Sequence, residues 1–140
     1  MNTVFAPLTF PELLGRLGLA CLILVPLLMV LGQVFVRLTG VPPSYPPLSP
    51  LPLLSGAIGG SLLSALGYLL LSTVIKDQKT LWTVLVVLAL ALLVASFHLP
   101  WRLSYTRSAR FTGVTVSAQV AQAMLHCVVV GTNLAVLLRR

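Results

Sequence analysis

Acidic side chains are nearly missing from this chain: Glu12 and Asp77 are the only two in 140 residues, and all charged residues together make up 8%. A soluble globular domain carries roughly 25%, so that class is excluded. Cysteine is as scarce. Cys21 and Cys127 both sit inside apolar runs, which leaves no C-x-x-C redox pair and no zinc cluster. At helical rise they differ by ~6 Å in depth, on top of an interaxial spacing of at least ~8 Å, and so lie beyond disulfide reach. Reduced, packed thiols are expected instead. Disulfide-scaffold, collagen and disordered readings fall with these absences. No acidic residue lies within an apolar run to pair with a histidine, so proton-transfer and nucleophilic chemistry lack an orienting partner and an enzyme is not expected. The residues present call for no cofactor and no metal.

What the chain has is apolar length. Hydrophobic residues make up 58% of it, and the mean hydropathy is +1.05. Four charge-free stretches, at about 17–36, 51–75, 81–99 and 113–138, approach or exceed the ~20 residues needed to cross a bilayer. The expected architecture is therefore all-α: one membrane domain over 1–140, a four-helix bundle of antiparallel up-down topology with both termini on one side.

Local signals mark the boundaries. Arg16 and Arg37 bracket the first run, and Thr9-Phe10-Pro11-Glu12 has capping-box spacing, so this helix is predicted to begin near Phe10 with Glu12 as a cap. Ser49 and Pro50 supply an N-cap and a first-turn proline for the second helix, and Pro100 closes the third. A cleaved signal peptide is not expected, because the basic n-region is missing and the apolar core is too long. Leu17-Gly18-Leu19-Ala20-Cys21 has the look of a lipoprotein box, but the apolar core follows Cys21 instead of preceding it. The proline-rich segment from Val41 to Pro52 reads as a stiff connector rather than an SH3 ligand.

The net charge of +7 does not imply nucleic acid. Cations at helix ends meet phosphate headgroups, so the expected partners are the lipid bilayer and its anionic lipids. Trp101, Arg102, Tyr105, Arg107 and Arg110 mix aromatic rings with guanidinium groups, the composition of a headgroup anchor.

Polar residues inside the apolar runs are the candidate site. In the fourth run Thr115, Gln119, Gln122, His126 and Asn133 follow at steps of four, three, four and seven, which puts them along one helix face. Such groups are costly in hydrocarbon unless they face the bundle interior. They either glue the helices together or line a cavity for a small ligand or transported solute. By depth, Gln33 pairs with Gln119, while His126 or Gln122 is placed to donate to the Leu22 carbonyl that Pro26 deprives of its helical donor. His98 lies ~12 Å from the midplane, which leaves haem without a second axial histidine. In the second run Gly56, Gly60 and Ser64 have small-xxx-small spacing, suited to close packing with a neighbouring helix or a second copy.

Gly40-Val41, Pro47-Leu48-Ser49-Pro50, the glycines from Gly56 to Gly60 and Met124-Leu125-His126 together give the chain a resemblance. Over about two thirds of its length it resembles a family of small four-span bacterial membrane proteins catalogued as a domain of unknown function. The resemblance implies a multi-pass protein of the bacterial inner membrane and a recurring His126, and it brings no activity. Four-span proton-coupled exporters are similar in length, but they carry a membrane-embedded glutamate in the first helix and Glu12 lies outside the apolar run. The function expected is a non-enzymatic membrane component that packs with itself or a larger partner. The alternative is a transport or ligand-binding bundle using the polar face of the fourth helix.

Orientation follows from cation counting. Arg16, Lys76, Lys79, Arg139 and Arg140 fall on the terminal side, against Arg37, Arg102, Arg107 and Arg110 opposite, and the proline-rich loop is uncharged beyond Arg37. Cytoplasmic termini are predicted. A cytoplasmic reporter fused after Arg140 is expected to be active and a phosphatase fusion silent, with Lys76→Gln and Lys79→Gln together shifting that ratio outward. The reverse pattern in the unsubstituted chain inverts the topology.

Overall fold

The computed structural model describes residues 7–42, 45–103 and 114–139. Every regular element among them is helical: α1 (Phe10–Thr39), α2 (Pro50–Val74), α3 (Gln78–Ser96), α4 (His98–Leu103) and α5 (Val116–Leu138), with one 3-10 turn at Pro46–Leu48. The helices α1, α2, α3 and α5 are long and apolar enough to cross a membrane, which by length and composition makes the chain an integral membrane protein. The headgroup anchors expected at Tyr105, Arg107 and Arg110 lie outside the described residues.

Each long helix is bounded by local chemistry. Glu12 Oε2 accepts from the Thr9 N–H at 2.7 Å and from the Thr9 hydroxyl at 2.8 Å, which satisfies a donor at the start of α1. At the other end Gly40 takes φ +67°, and its N–H closes back on the Val36 carbonyl at 3.2 Å. Only glycine adopts that conformation without cost, so the helix stops there. Ser49 precedes α2 as expected, but its hydroxyl donates backwards to the Pro46 carbonyl at 2.8 Å. Asp77 caps α3 by accepting from the Thr80 N–H and hydroxyl, at 2.7 and 2.6 Å. Those two bonds, with the Lys79 charge, hold its carboxyl below the usual carboxylate range.

The third helix differs from expectation at its end. α3 stops at Ser96, where the Phe97 N–H reaches the Leu93 and Val94 carbonyls, and the short α4 follows. Pro100 falls in the first turn of α4, where a missing N–H costs no helical bond, so it does not close α3.

α1 packs broadly on α2 and α5, whereas α3 packs mainly on α5, α2 and α4 and buries just Leu81 and Leu85. The buried row of α1 is Leu13, Ala20, Leu24, Leu28 and Gly32; that of α2 is Leu53, Ala57, Ser61, Ala65 and Tyr68. Steps of three, four or seven residues keep each row on one helix face. The small residues that α2 buries are thus Ala57, Ser61 and Ala65, one position and about 100° round from the Gly56, Gly60 and Ser64 row. Alanine and serine are small enough to let helix backbones approach closely.

Two glycines carry tight contacts. A Cβ at Gly32 would collide with the Leu53 side chain and lie 3.3 Å from the Leu48 carbonyl oxygen. One at Gly60 would lie 2.6 Å from Val129 Cγ1 on α5, whereas Gly56 and Gly59 have nothing within 4 Å. Gly60→Leu is therefore expected to cost about 1–3 kcal/mol through overpacking, and Gly59→Leu no more than about 0.5 kcal/mol, as an outward-facing change does. Thermal midpoints of the two variants in one detergent check this. Equal midpoints remove the α2–α5 contact.

Candidate functional site

Because α3 is held only near Leu81 and Leu85 and again at Ser96, space remains between α2, α3 and α5. It forms a cleft of about 510 Å³. Its walls are Leu53, Gly56, Gly60, Leu63, Ser64, Gly67 and Leu71 from α2, then Leu85, Leu88, Ala89, Leu92, Leu93 and Ser96 from α3. α5 contributes Gln122, Leu125, His126, Val129, Val130, Asn133, Leu134 and Leu137. Leu63, Leu88 and Leu92 line the cleft yet are 60%, 46% and 57% exposed, so its mouth opens sideways between α2 and α3. No Lys, Arg, Asp or Glu is among the lining residues.

The polar groups are arranged with a definite sense. The Ser96 hydroxyl donates to the Leu93 carbonyl at 2.7 Å, and its oxygen lies 2.8 Å from His126 Nδ1. A hydroxyl has one hydrogen, so with both contacts made Ser96 is assigned as acceptor of Nδ1–H, which in the neutral ring leaves the lone pair on Nε2. Ser64 donates to the Gly60 carbonyl at 2.8 Å and Asn133 Nδ2 to the Val129 carbonyl at 2.9 Å, both turned back on their own helices. Gln122 Oε1 is buried without a hydrogen-bond partner. The cleft thus has one unpaired buried acceptor, Gln122 Oε1, on a mostly apolar lining.

The structure brings Gln122, His126 and Asn133 to this cleft and separates the rest of the expected stripe from it. Thr115 is exposed at the N-cap of α5, where its hydroxyl oxygen accepts from the Ala118 N–H at 3.2 Å; it serves as a cap and not as an intramembrane group. Gln119 is buried at 5% exposure, with Nε2 unpartnered, but does not line the cleft. The Gln33–Gln119 pair does not form. Gln33 is exposed because it lies about 140° round α1 from Leu28, on the outer side, and equal depth does not compensate for the wrong angle. The same angular reason corrects the bond expected at Leu22: both Leu22 and Pro26 face outwards, and His126 bonds Ser96 instead.

Gly56, Gly60 and Ser64 all line the cleft, and Gly60 also abuts the Val129 side chain of α5, whereas a Cβ at Gly56 would meet nothing within 4 Å. Cys21 is half-buried, while Cys127 is exposed rather than packed. Trp101 and Arg102 are exposed on α4. Among the described residues no His, Cys, Asp and Glu gather into a group able to hold a metal.

Sequence reasoning missed Ser96, the one polar side chain between Thr83 and His98, which could have been flagged as such. It also missed Arg16, whose Nη1 donates to the Leu137 carbonyl and to that of Val136 at 3.4 Å, at the end of α5. Comparison of the chain with family models, with curated proteins and with solved structures returned no match.

An unpartnered buried amide costs about 1–3 kcal/mol. Gln119→Met keeps the length of the side chain and removes that amide, so the variant is expected to unfold at a higher temperature than the parent. A lowered midpoint means that the Gln119 amide is satisfied in the folded protein.

Proposed function

We propose that the protein is a non-enzymatic membrane bundle that takes an apolar small molecule from the bilayer into the cleft between α2, α3 and α5. The observation that carries this reading is the cleft itself: about 510 Å³, apolar walls, a few convergent polar groups and a mouth facing sideways. Ligand sites in proteins have that size and that composition. A stripe serving only as glue would leave its buried groups bonded between helices, whereas the Gln122 acceptor has no partner. The Ser96 hydroxyl that orients His126 is committed to a backbone carbonyl, so it fixes the ring without acting as a relay.

The bundle is read as antiparallel and up-down, with both ends at the cytoplasmic face of a bacterial inner membrane. Two contacts support that arrangement. Arg16 near the start of α1 bonds the last carbonyls of α5, and the Leu8 N–H donates to the Tyr68 hydroxyl at 2.7 Å near the end of α2. Arg16, Lys76, Lys79 and Arg139 then cluster at one face, as the positive-inside bias requires. Anionic lipid headgroups are the partners proposed for these cations. Association with a second copy or a larger membrane partner is a second reading, favoured by Gly59, which is exposed with nothing within 4 Å of where its Cβ would stand.

Gly56 lines the cleft and a Cβ there would meet nothing within 4 Å, so Gly56→Phe is chosen to place bulk in the cleft. The chain purified in mild detergent is expected to carry about one equivalent of an apolar molecule, read by mass spectrometry of the intact complex. Gly56→Phe is expected to lose it with the thermal midpoint kept. Equal loading of both proteins, or no loading of either, overturns the cleft as a binding site. A complex of twice the chain's mass that Gly59→Leu dissociates supports the second reading.

A further inference from the structure

Resting on the reading of the cleft as a binding site, we infer that it selects a neutral lipophile bearing a hydroxyl donor. The chain of such a molecule lies against Leu63, Leu92 and Leu134, and its O–H points at Gln122 Oε1.

Three features lead to this class. First, the absence of any charged residue among the lining means that a phosphate, carboxylate or ammonium head would be buried without a counter-charge, at a cost far above that of a neutral group. Second, the one atom of the lining that is buried without a hydrogen-bond partner, Gln122 Oε1, is an acceptor. The Ser64 and Ser96 hydroxyl hydrogens and one Asn133 amide hydrogen go to carbonyls of their own helices, so none of these reaches it. A ligand that only accepts hydrogen bonds, such as an ester or ether, leaves that oxygen unpaired. A hydroxyl supplies the missing hydrogen and satisfies a buried oxygen that is otherwise unpaired. Third, Leu63, Leu88 and Leu92 at the mouth leave an opening on the lipid side, so a molecule already dissolved in the bilayer enters without crossing water.

The test uses the full chain in phosphatidylcholine nanodiscs and four probes of one chain length: hexadecanol, its methyl ether, hexadecane and hexadecanoate. They are compared at equal mole fraction by the rise in thermal midpoint. Hexadecanol is expected to stabilise, with the other three at least about tenfold weaker, because each leaves the Gln122 acceptor unpaired or brings an uncompensated charge. Gln122→Met is expected to lower the preference for the alcohol over hexadecane, compared within the same protein. A loss of packing would not move that ratio. If hexadecane or the methyl ether matches the alcohol, the donor preference is wrong and the cleft remains a binding site. If hexadecanoate binds best, the site is cationic in character and the inference is wrong. If none of the four shifts the midpoint and Gly56→Phe alters nothing, the cleft reading itself fails.

Discussion

Close approach at small side chains is the constraint on which the rest of this bundle depends. Lipid tails are as apolar as leucine, so no gain comes from hiding one helix's leucines behind another's, and packing has to supply the attraction. The small residues buried on these helices are Ala20 and Gly32 of α1 and Ala57, Ser61 and Ala65 of α2, and at Gly32 the Leu53 side chain of α2 occupies the place a Cβ would take. With α5 added to that pair through Leu125 and Ala118, three helices form a dense unit. α3 has no comparable row. Its sequence from Val84 to Val94 is built of leucine, valine and alanine, and it buries side chains only in its first two turns. The cleft is what remains when a fourth helix is tethered to a packed trio at its two ends.

Tethering is itself chemically uneven. At one end Leu81 and Leu85 join Leu13, Ala65, Tyr68 and Leu137, with the Tyr68 and Trp82 rings 5.7 Å apart. At the other, the bond from His126 to Ser96 is polar and is made within a span, where water does not compete for either partner. The histidine thereby divides its ring: Nδ1 holds α3, and in the neutral form Nε2 keeps the lone pair. The arrangement depends on Ser96 donating to Leu93, since a serine with a free hydrogen would reverse the sense of the whole set.

The four spans were legible in the amino-acid sequence because apolar runs without charge have one stable form in a bilayer, and because Thr9, Glu12, Ser49 and Pro50 punctuate them, whereas the Gly40 stop and the Asp77 cap came from the structure. Faces were less legible than spans. Gln33 has the right depth to meet Gln119, yet it stands on the outer side of α1, since depth follows from residue count and facing from angle. On α2 the glycines drew attention to a row that borders the cleft, while the row packed on α1 is marked by alanines, common in any apolar helix. The stripe on α5 was visible as periodicity, but periodicity does not separate Thr115, a cap, from Gln122 and His126, which line a cavity. Ser96 drew no attention because one hydroxyl at a helix end has no pattern.

The close contact at Gly60 does more than bring two helices together. Val129 enters the space that a side chain at Gly60 would fill, and His126 lies three residues before Val129 on α5. The glycine is a notch and the valine a key: together they index the rotation of α5 about its own axis. A roll of one position, about 100°, withdraws Val129 from the notch and swings His126 off the cleft in the same movement. The hydrogen-bonding character of the cleft is therefore set, in part, by a missing side chain on the opposite helix.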